Sequence, residues 1–250
     1  MITRKTQEEI NKMHKAGKLL ASCHKEISKR IEPGTTTLEI DQFVEAYLKK
    51  HGATPEQKGY QGYQFATCAS INDVVCHGFP SPTPLREGDI VTIDFVVNLD
   101  GWLADSAWSY AVGKVSENGL RLMKTTKEAL YKGIEHAKVG NRIGHIANAI
   151  EVFAKAKRYS VVRDFIGHGI GSMMHEPPLV PHFGPIEQGP VLEEGMIITI
   201  EPMLNCGSFH TYVEEDGWTA RTVDGELSAQ YEHTVAITNN GPIILTDQDS

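Results

Sequence analysis

Two helix-like segments followed by strand-like segments occur twice in this 250-residue chain, at a nearly fixed spacing. The first copy begins with an amphipathic stretch over about 7–31, where Ile10, Met13, Gly17, Leu20, Ile27 and Ile31 recur near helical spacing. Pro33-Gly34 ends it, and Thr35-Thr36-Thr37 offers an N-cap for a second helix that closes at Gly52. Strand-like runs follow at about 64–76, 89–98 and 103–112, the last two joined by the turn Leu99-Asp100-Gly101. The second copy predicts helices from Asn118 to about His136 and from Ile143 to about Arg158, then strands at about 160–167, 196–204 and 231–238. Shifted by 106 residues, Gly34 falls on Gly140, Ile40 on Ile146, Val44 on Ile150, Glu45 on Glu151, Tyr47 on Phe153 and Lys49 on Lys155. Shifted by 107, the run from Glu87 to Asp94 falls on the run from Glu194 to Glu201. Matched amphipathic helices are weak evidence, because such helices resemble one another. The second match is more specific, and it places Asp94 and Glu201 at equivalent positions. The chain is therefore expected to form one α+β domain, residues 1–250, of two pseudo-symmetric halves at about 1–112 and 113–250. A site shared at their junction is a common place for a ligand pocket.

The formal net charge of −8 argues against a nucleic-acid binder, which ordinarily needs a basic face. Cys23, Cys68, Cys76 and Cys206 form no CxxC pair and imply no disulfide framework, so a reducing cytoplasm is the simplest compartment. The N-terminus shows no apolar secretory core, and no stretch approaches the length of apolar sequence that a membrane span needs.

Five residues carry the chemical signal: Asp94, Asp105, His168, Glu201 and Glu232. Asp94 closes the apolar run Ile90–Ile93, and Glu201 closes Ile197–Ile200 in the same way. A carboxylate at the end of a buried strand is costly unless something positive meets it. Four carboxylates and one imidazole form a hard, oxygen-rich set suited to two divalent cations and to metal-assisted hydrolysis. Taken alone, Asp105 reads more readily as a solvated loop residue and Asp94 as a strand-end cap. If 89–98 and 103–112 form a hairpin, however, Asp94 and Asp105 can share one face. His168 lies in Gly167-His168-Gly169-Ile170-Gly171, where glycines permit close backbone approach; the motif lacks the spacing and the Lys-Ser/Thr of a phosphate loop. His175 and His77 each precede proline in loop-like sequence and suit contact with a substrate. Cys68, Cys76 and His77 lack the second pair a zinc site would need. Alternation along the strand around 231–238 sends Glu232 and His233 to opposite faces, so only one of them serves the site.

Together these segments resemble type I methionine aminopeptidases of the short bacterial kind, members of peptidase family M24. The matching motifs are Ser70-Ile71-Asn72-Asp73-Val74-Val75-Cys76-His77-Gly78, Gly88–Asp94, Ala104-Asp105-Ser106, Gly167–Gly171, His175-Glu176-Pro177-Pro178, Thr199-Ile200-Glu201-Pro202-Met203 and Ser228–Thr234. The resemblance spans nearly the whole chain. It implies the pseudo-two-fold pita-bread fold, with a central antiparallel sheet and flanking helices. It also implies removal of N-terminal methionine from peptides and nascent chains in the cytoplasm, preferably before a small uncharged residue. Asp94 would chelate one metal, Asp105 and Glu232 would bridge two, and His168 and Glu201 would complete the other shell. The cofactor would be two divalent cations, with Co, Mn, Fe(II) and Zn all suited. Glu201 would carry the proton, His175 would hydrogen-bond the developing oxyanion, and His77 would contact the peptide nitrogen beyond the cut. Tyr60, Tyr63, Cys68, Met174 and Trp218 would line the methionine slot, Met174 standing where relatives often carry an aromatic residue. Gln57 takes a position where some relatives carry a cysteine, and Ser106-Ala107-Trp108 is bulkier than usual; these bear on substrate preference. A monomer is expected, with transient ribosome contact, and with neither specific nucleic acid nor membrane as partner. A prolidase or Xaa-Pro aminopeptidase of the same fold is the neighbouring alternative, though those relatives ordinarily carry a separate N-terminal domain. A non-catalytic binding protein would be expected to have lost a ligand, and all five are present.

Overall fold

In a computed structural model, which describes residues 2–248, the two-copy pattern is present in the element order. The first copy contains α1 (Gln7–Ser28), α2 (Thr37–Lys50), β1 (Thr54–Pro55), a short 3-10 turn at Tyr60–Gly62, β2 (Cys68–Ile71), β3 (Val74–Cys76), β4 (Ile90–Leu99) and β5 (Trp102–Ala111). The second contains α3 (Glu117–Glu135), α4 (Ile143–Ala156), β6 (Ser160–Val161), β7 (Gly167–Gly169), β8 (Glu176–Val180), β9 (Ile197–Ile200) and β10 (Met203–Asn205). It ends with β11 (Thr211–Val213), β12 (Ala220–Thr222), β13 (Ser228–Gln230), β14 (His233–Thr238) and β15 (Gly241–Ile244). α2 and α4 start and stop 106 residues apart, and β4 and β9 start 107 apart.

The helices begin where local chemistry satisfies their first N–H groups. Thr6 and Thr36 each accept a hydrogen bond from the backbone three residues on, while Glu9 and Glu39 reach back to the cap N–H. Each helix pair buries one apolar face against one sheet. In the first half Leu20, Ile27, Ile40 and Val44 pack on Val91, Ile93, Phe95 and Val97. In the second, Leu130, Ile146 and Ile150 pack on Ile198, Ile200, Val235 and Ile237. These are alternate strand residues, so Thr92, Asp94, Thr199 and Glu201 are left to the opposite faces.

The β4–β5 hairpin turns on Asp100 and Gly101, both at positive φ (54° and 81°), the conformation that a tight two-residue turn requires. Its register sets Asp94 opposite Ala107 and Asp105 opposite Val96, which puts the two carboxylates on one face as diagonal neighbours. β4 lies between β5 and the strands β1 and β2, so β5 would be an open edge. The second half covers it. Leu103 N–H donates to Gly171 O (3.0 Å), Asp105 N–H to Thr234 Oγ1 (2.9 Å), and Thr234 Oγ1–H to Asp105 O (2.8 Å). Glu232 N–H donates to Ala107 O at 2.9 Å, and Ser106 Oγ–H to Glu232 O at 2.8 Å.

Several expected elements differ in extent from the sequence pattern. Helix α1 stops at Ser28 rather than near 31. The run 64–76 is two strands separated at Asn72, whose φ is 55°. The run 160–167 keeps only Ser160–Val161 and the start of β7. The run 196–204 is interrupted at Glu201-Pro202, where proline offers no N–H to the ladder. Asp94 does not close its strand, because β4 continues five residues beyond it, to Leu99; Asp105 likewise lies inside β5. Strand β8, Glu176-Pro177-Pro178-Leu179-Val180, is not evident from the sequence because of its prolines; it is the edge of the sheet β15-β14-β9-β7-β8, where proline is tolerated.

Candidate metal centre and active-site cavity

Asp94, Asp105, His168, Glu201 and Glu232 all line one cavity of about 600 Å³. Asp94 and Asp105 come from the hairpin, His168 from the middle of β7, Glu201 from the break after β9, and Glu232 from the residue preceding β14. The ligating atoms of Asp105, His168 and Glu232 lie within 4.8 Å of one another. His168 Nε2 is 3.8 Å from Asp105 Oδ2 and 3.7 Å from Glu201 Oε1. As expected from alternation, Glu232 and His233 diverge: His233 hydrogen-bonds Thr246 Oγ1 at 2.9 Å and meets Tyr131 Oη at 3.4 Å, away from this cluster.

The electrostatics of the cluster are those of a site waiting for positive charge. Burial pushes the Asp94 carboxyl up to about 7; burial and the Asp94 charge push Glu201 up to about 8. Asp105 and Glu232 are pushed well above the carboxylate range, by burial first and then by their acidic neighbours. Asp105 Oδ1 and Glu232 Oε1 are buried without a hydrogen-bond partner. Among the described residues lining the cavity there is no lysine or arginine. His168 Nδ1 lies 2.9 Å from Gly169 O; a carbonyl only accepts, so the proton sits on Nδ1 and Nε2 keeps its lone pair. Burial lowers this imidazole to about 4. Four crowded acids, two orphaned oxygens and a neutral imidazole fit divalent cations well.

The surroundings hold Glu201 in place. Thr199 Oγ1–H donates to Glu201 Oε1 at 2.8 Å, and Glu201 N–H donates to His182 Nε2 at 3.0 Å. Burial, and then the neighbouring His168, keep His182 neutral, lowering it to about 3. His175 lies beside the cluster, its ring edge-on to His168 with centroids 4.4 Å apart and its Nδ1 3.0 Å from Tyr60 Oη. His77, at φ 57°, meets Phe165 edge-on at 5.3 Å and Trp218 at 6.3 Å. Burial first, then the neighbouring His175, lowers His77 to about 4.

Residues 11–239 match the metallopeptidase family M24. The chain belongs to that family. It is similar to Methionine aminopeptidase 1 of Bacillus subtilis (strain 168), 45% identical over 246 residues that cover 98% of this chain and 99% of that one. The methionine aminopeptidase of Clostridium perfringens is 48% identical over 246 residues, with the same coverage. Among solved structures, the methionine aminopeptidase from Rickettsia prowazekii superposes with a TM-score of 0.98 at 42% identity, covering 99% of this chain and all of that one. The fold is thus the pita-bread arrangement that the resemblance implies, in agreement with the repeat.

In this M24 chain, Tyr60, Tyr63, Cys68, Met174 and Trp218 all line the same cavity as the acids. Tyr63 Oη–H donates to Thr67 O at 2.9 Å, and Trp218 stands edge-on to the Tyr63 ring at 5.0 Å. Burial and the Asp94 charge raise the Cys68 thiol well above its ordinary value, so the sulfur stays neutral. Gln57 braces this wall: Val96 N–H donates to its Oε1 at 2.7 Å, and its Nε2–H donates to Asp94 O at 3.2 Å. Phe165, Leu179 and Met203 also line the cavity and escape the sequence reading. They are ordinary apolar residues, and only the fold brings them there.

Proposed function

We propose that the chain is a methionyl aminopeptidase, a metallo-hydrolase that removes N-terminal methionine from peptides and nascent chains, preferably before a small uncharged residue. The observation that carries this reading is the convergence of the buried Asp105, His168, Glu201 and Glu232 and the half-buried Asp94 in one cavity that aromatic and sulfur-bearing side chains also line. Length-matched relatives bearing the methionine aminopeptidase name support it. Asp94, Asp105, His168, Glu201 and Glu232 would hold two divalent cations, of Co, Mn, Fe(II) or Zn. Bound there, the cations would polarise the scissile carbonyl and supply a nucleophile near neutral pH.

The chain's own groups do the rest. Tyr63, Cys68, Met174 and Trp218 offer soft, polarizable contacts to a thioether and fix the methionine side chain. Glu201 takes a proton from the attacking water and delivers it to the leaving amine. With Tyr60 Oη–H as the donor in its 3.0 Å contact with His175 Nδ1, Nε2–H is left to stabilise the charge developing on the carbonyl oxygen. His77, neutral at pH 7 through burial, hydrogen-bonds the peptide beyond the cut.

The reading places the whole chain in one catalytic domain. It further places the enzyme in the cytoplasm as a monomer that meets the ribosome transiently. No helix among the described residues is long and apolar enough to cross a membrane.

The test is an assay of protein stripped with chelator and reloaded with Mn or Co, on Met-Ala-Ser and Pro-Ala-Ser peptides. Cation-dependent release of methionine alone is the expected result. Release of nothing, or of proline, refutes the reading.

A further inference from the structure

The segment before α1 reads in sequence as a short polar lead-in, yet it is locked into the site's supporting structure. Lys5 N–H donates to Gly195 O at 2.7 Å, which lays residues 3–5 along the chain just ahead of β9. The Lys5 side chain then turns inward, only 6% exposed, and its Nζ meets Glu176 Oε2 at 2.5 Å. Thr3 Oγ1–H donates to the same oxygen at 2.6 Å, and Lys5 Nζ also touches Thr3 Oγ1. The other oxygen, Glu176 Oε1, accepts from Met173 N–H at 3.4 Å. That bond closes the loop carrying Met174 and His175, and Glu176 directly follows His175.

Gly171 completes the interlock and explains the last glycine of Gly167–Gly171. A Cβ there would lie 2.5 Å from both Glu176 Oε1 and Lys5 Cε. A Cβ there would have to push apart the buried ends of Lys5 and Glu176 that meet beneath the loop. A buried ion pair is a poor way to gain stability, because desolvating two charges offsets most of their attraction. What it provides is direction: one carboxylate held from one side by Lys5 and Thr3, and from the other by the loop's own N–H.

We infer that Lys5 is a positioning residue: by clamping Glu176 it fixes the loop that presents His175 beside His168 and Tyr60. This rests on the role assigned to His175 in the proposed function. A displacement on the order of 1 Å at a group acting on the reacting carbonyl costs roughly 100-fold in rate.

The experiment compares wild type, Lys5→Met and Thr3→Val, loaded with Mn and assayed on Met-Ala-Ser. Lys5→Met is expected to lower kcat roughly 10- to 100-fold at near-constant KM and full metal content. Thr3→Val, which removes one of the two outside contacts, is expected to lower it in the same direction by a smaller factor. In a His175→Ala background, Lys5→Met should cost less than about twofold, since the group it positions is gone. In the metal-free proteins, amide exchange at 171–176 should rise in Lys5→Met while α3 and α4 stay as protected as in wild type. Equal losses in both backgrounds, unchanged kcat in both variants, or unchanged exchange at the loop each overturn the inference. If wild type releases no methionine with any cation, the functional reading fails by itself; the exchange comparison still decides whether Lys5 holds the loop.

Discussion

Thr234 is where the two halves of the chain are most directly stitched at the site. Its hydroxyl accepts from Asp105 N–H at 2.9 Å and donates to Asp105 O at 2.8 Å, and the residue is fully buried. It therefore stands in for the strand partner that β5 lacks on that side. Thr234→Val keeps the β-branched shape and removes both bonds without opening a cavity. Each buried group left unpaired costs about 1–3 kcal/mol, so the two together cost about 2–4 kcal/mol after modest relaxation. For a chain of this size that lowers Tm by roughly 5–15 °C. Thr234→Ser is the control: it keeps the hydroxyl and loses one methyl, about 1 kcal/mol. Thermal and urea unfolding of the chelator-stripped proteins, followed by tryptophan fluorescence and circular dichroism, read the difference. A Thr234→Val midpoint within about 2 °C of wild type, or below no more than the Thr234→Ser midpoint, would refute the stitching argument.

Three further outcomes are expected. Asp105→Asn removes an anionic side chain from the centre of the cluster; as a proposed cation ligand, its loss should abolish peptide cleavage and lower the bound cation measured by atomic emission. His77→Ala and His175→Ala should keep full metal content while kcat falls by roughly 10²–10³; loss of the metal from His175→Ala would contradict its place outside the ligand set. The third concerns pH. Asp94 and Glu201 have folded values raised from 3.8 and 4.5 to about 7 and about 8, so the stability they confer on the metal-free protein is full at low pH and lost as pH rises through those values. The buried His24, His77, His168, His182 and His233, lowered to about 4 or about 3, act in the opposite sense and saturate above 6.5. Between pH 6.5 and 8 the histidine gain tails off, while Asp94, Glu201, Asp105 and Glu232 go on losing stability, each by at most about 1.4 kcal/mol per pH unit while its folded form still holds the proton, so the carboxylate loss prevails. A urea midpoint that is equal or higher at pH 8 than at pH 6.5 would show the sign to be wrong.

Much of the fold was legible because it is written twice. The 106-residue offset reproduces α2 and α4 at both ends, since amphipathic spacing and capping residues are local signals. The pairing of Asp94 with Asp105 on one face followed from a hairpin whose turn chemistry is also local. The broken strands were less legible. Asn72 at positive φ and Pro202 interrupt runs whose apolar character continues across the break. The edge strand β8 was hidden by prolines that only an edge position accommodates. Phe165, Leu179 and Met203 carried no signal at all, because a pocket lining is a tertiary fact about side chains of common type. Lys5 was hidden for the same reason: nothing near residue 5 indicates a carboxylate at residue 176.

The covered edge of β5 also has a consequence for synthesis. The chain emerges from its N-terminus, so the residues of the hairpin and its two helices are made before any residue of the covering half. During that interval the main-chain groups of Leu103, Asp105 and Ala107 face outward with no partner, since Gly171, Thr234 and Glu232 are still to be made. An exposed strand edge of this kind templates pairing with other chains. The nascent first half is therefore the form of this protein most open to association with other nascent chains, until residues near 234 arrive to close the edge.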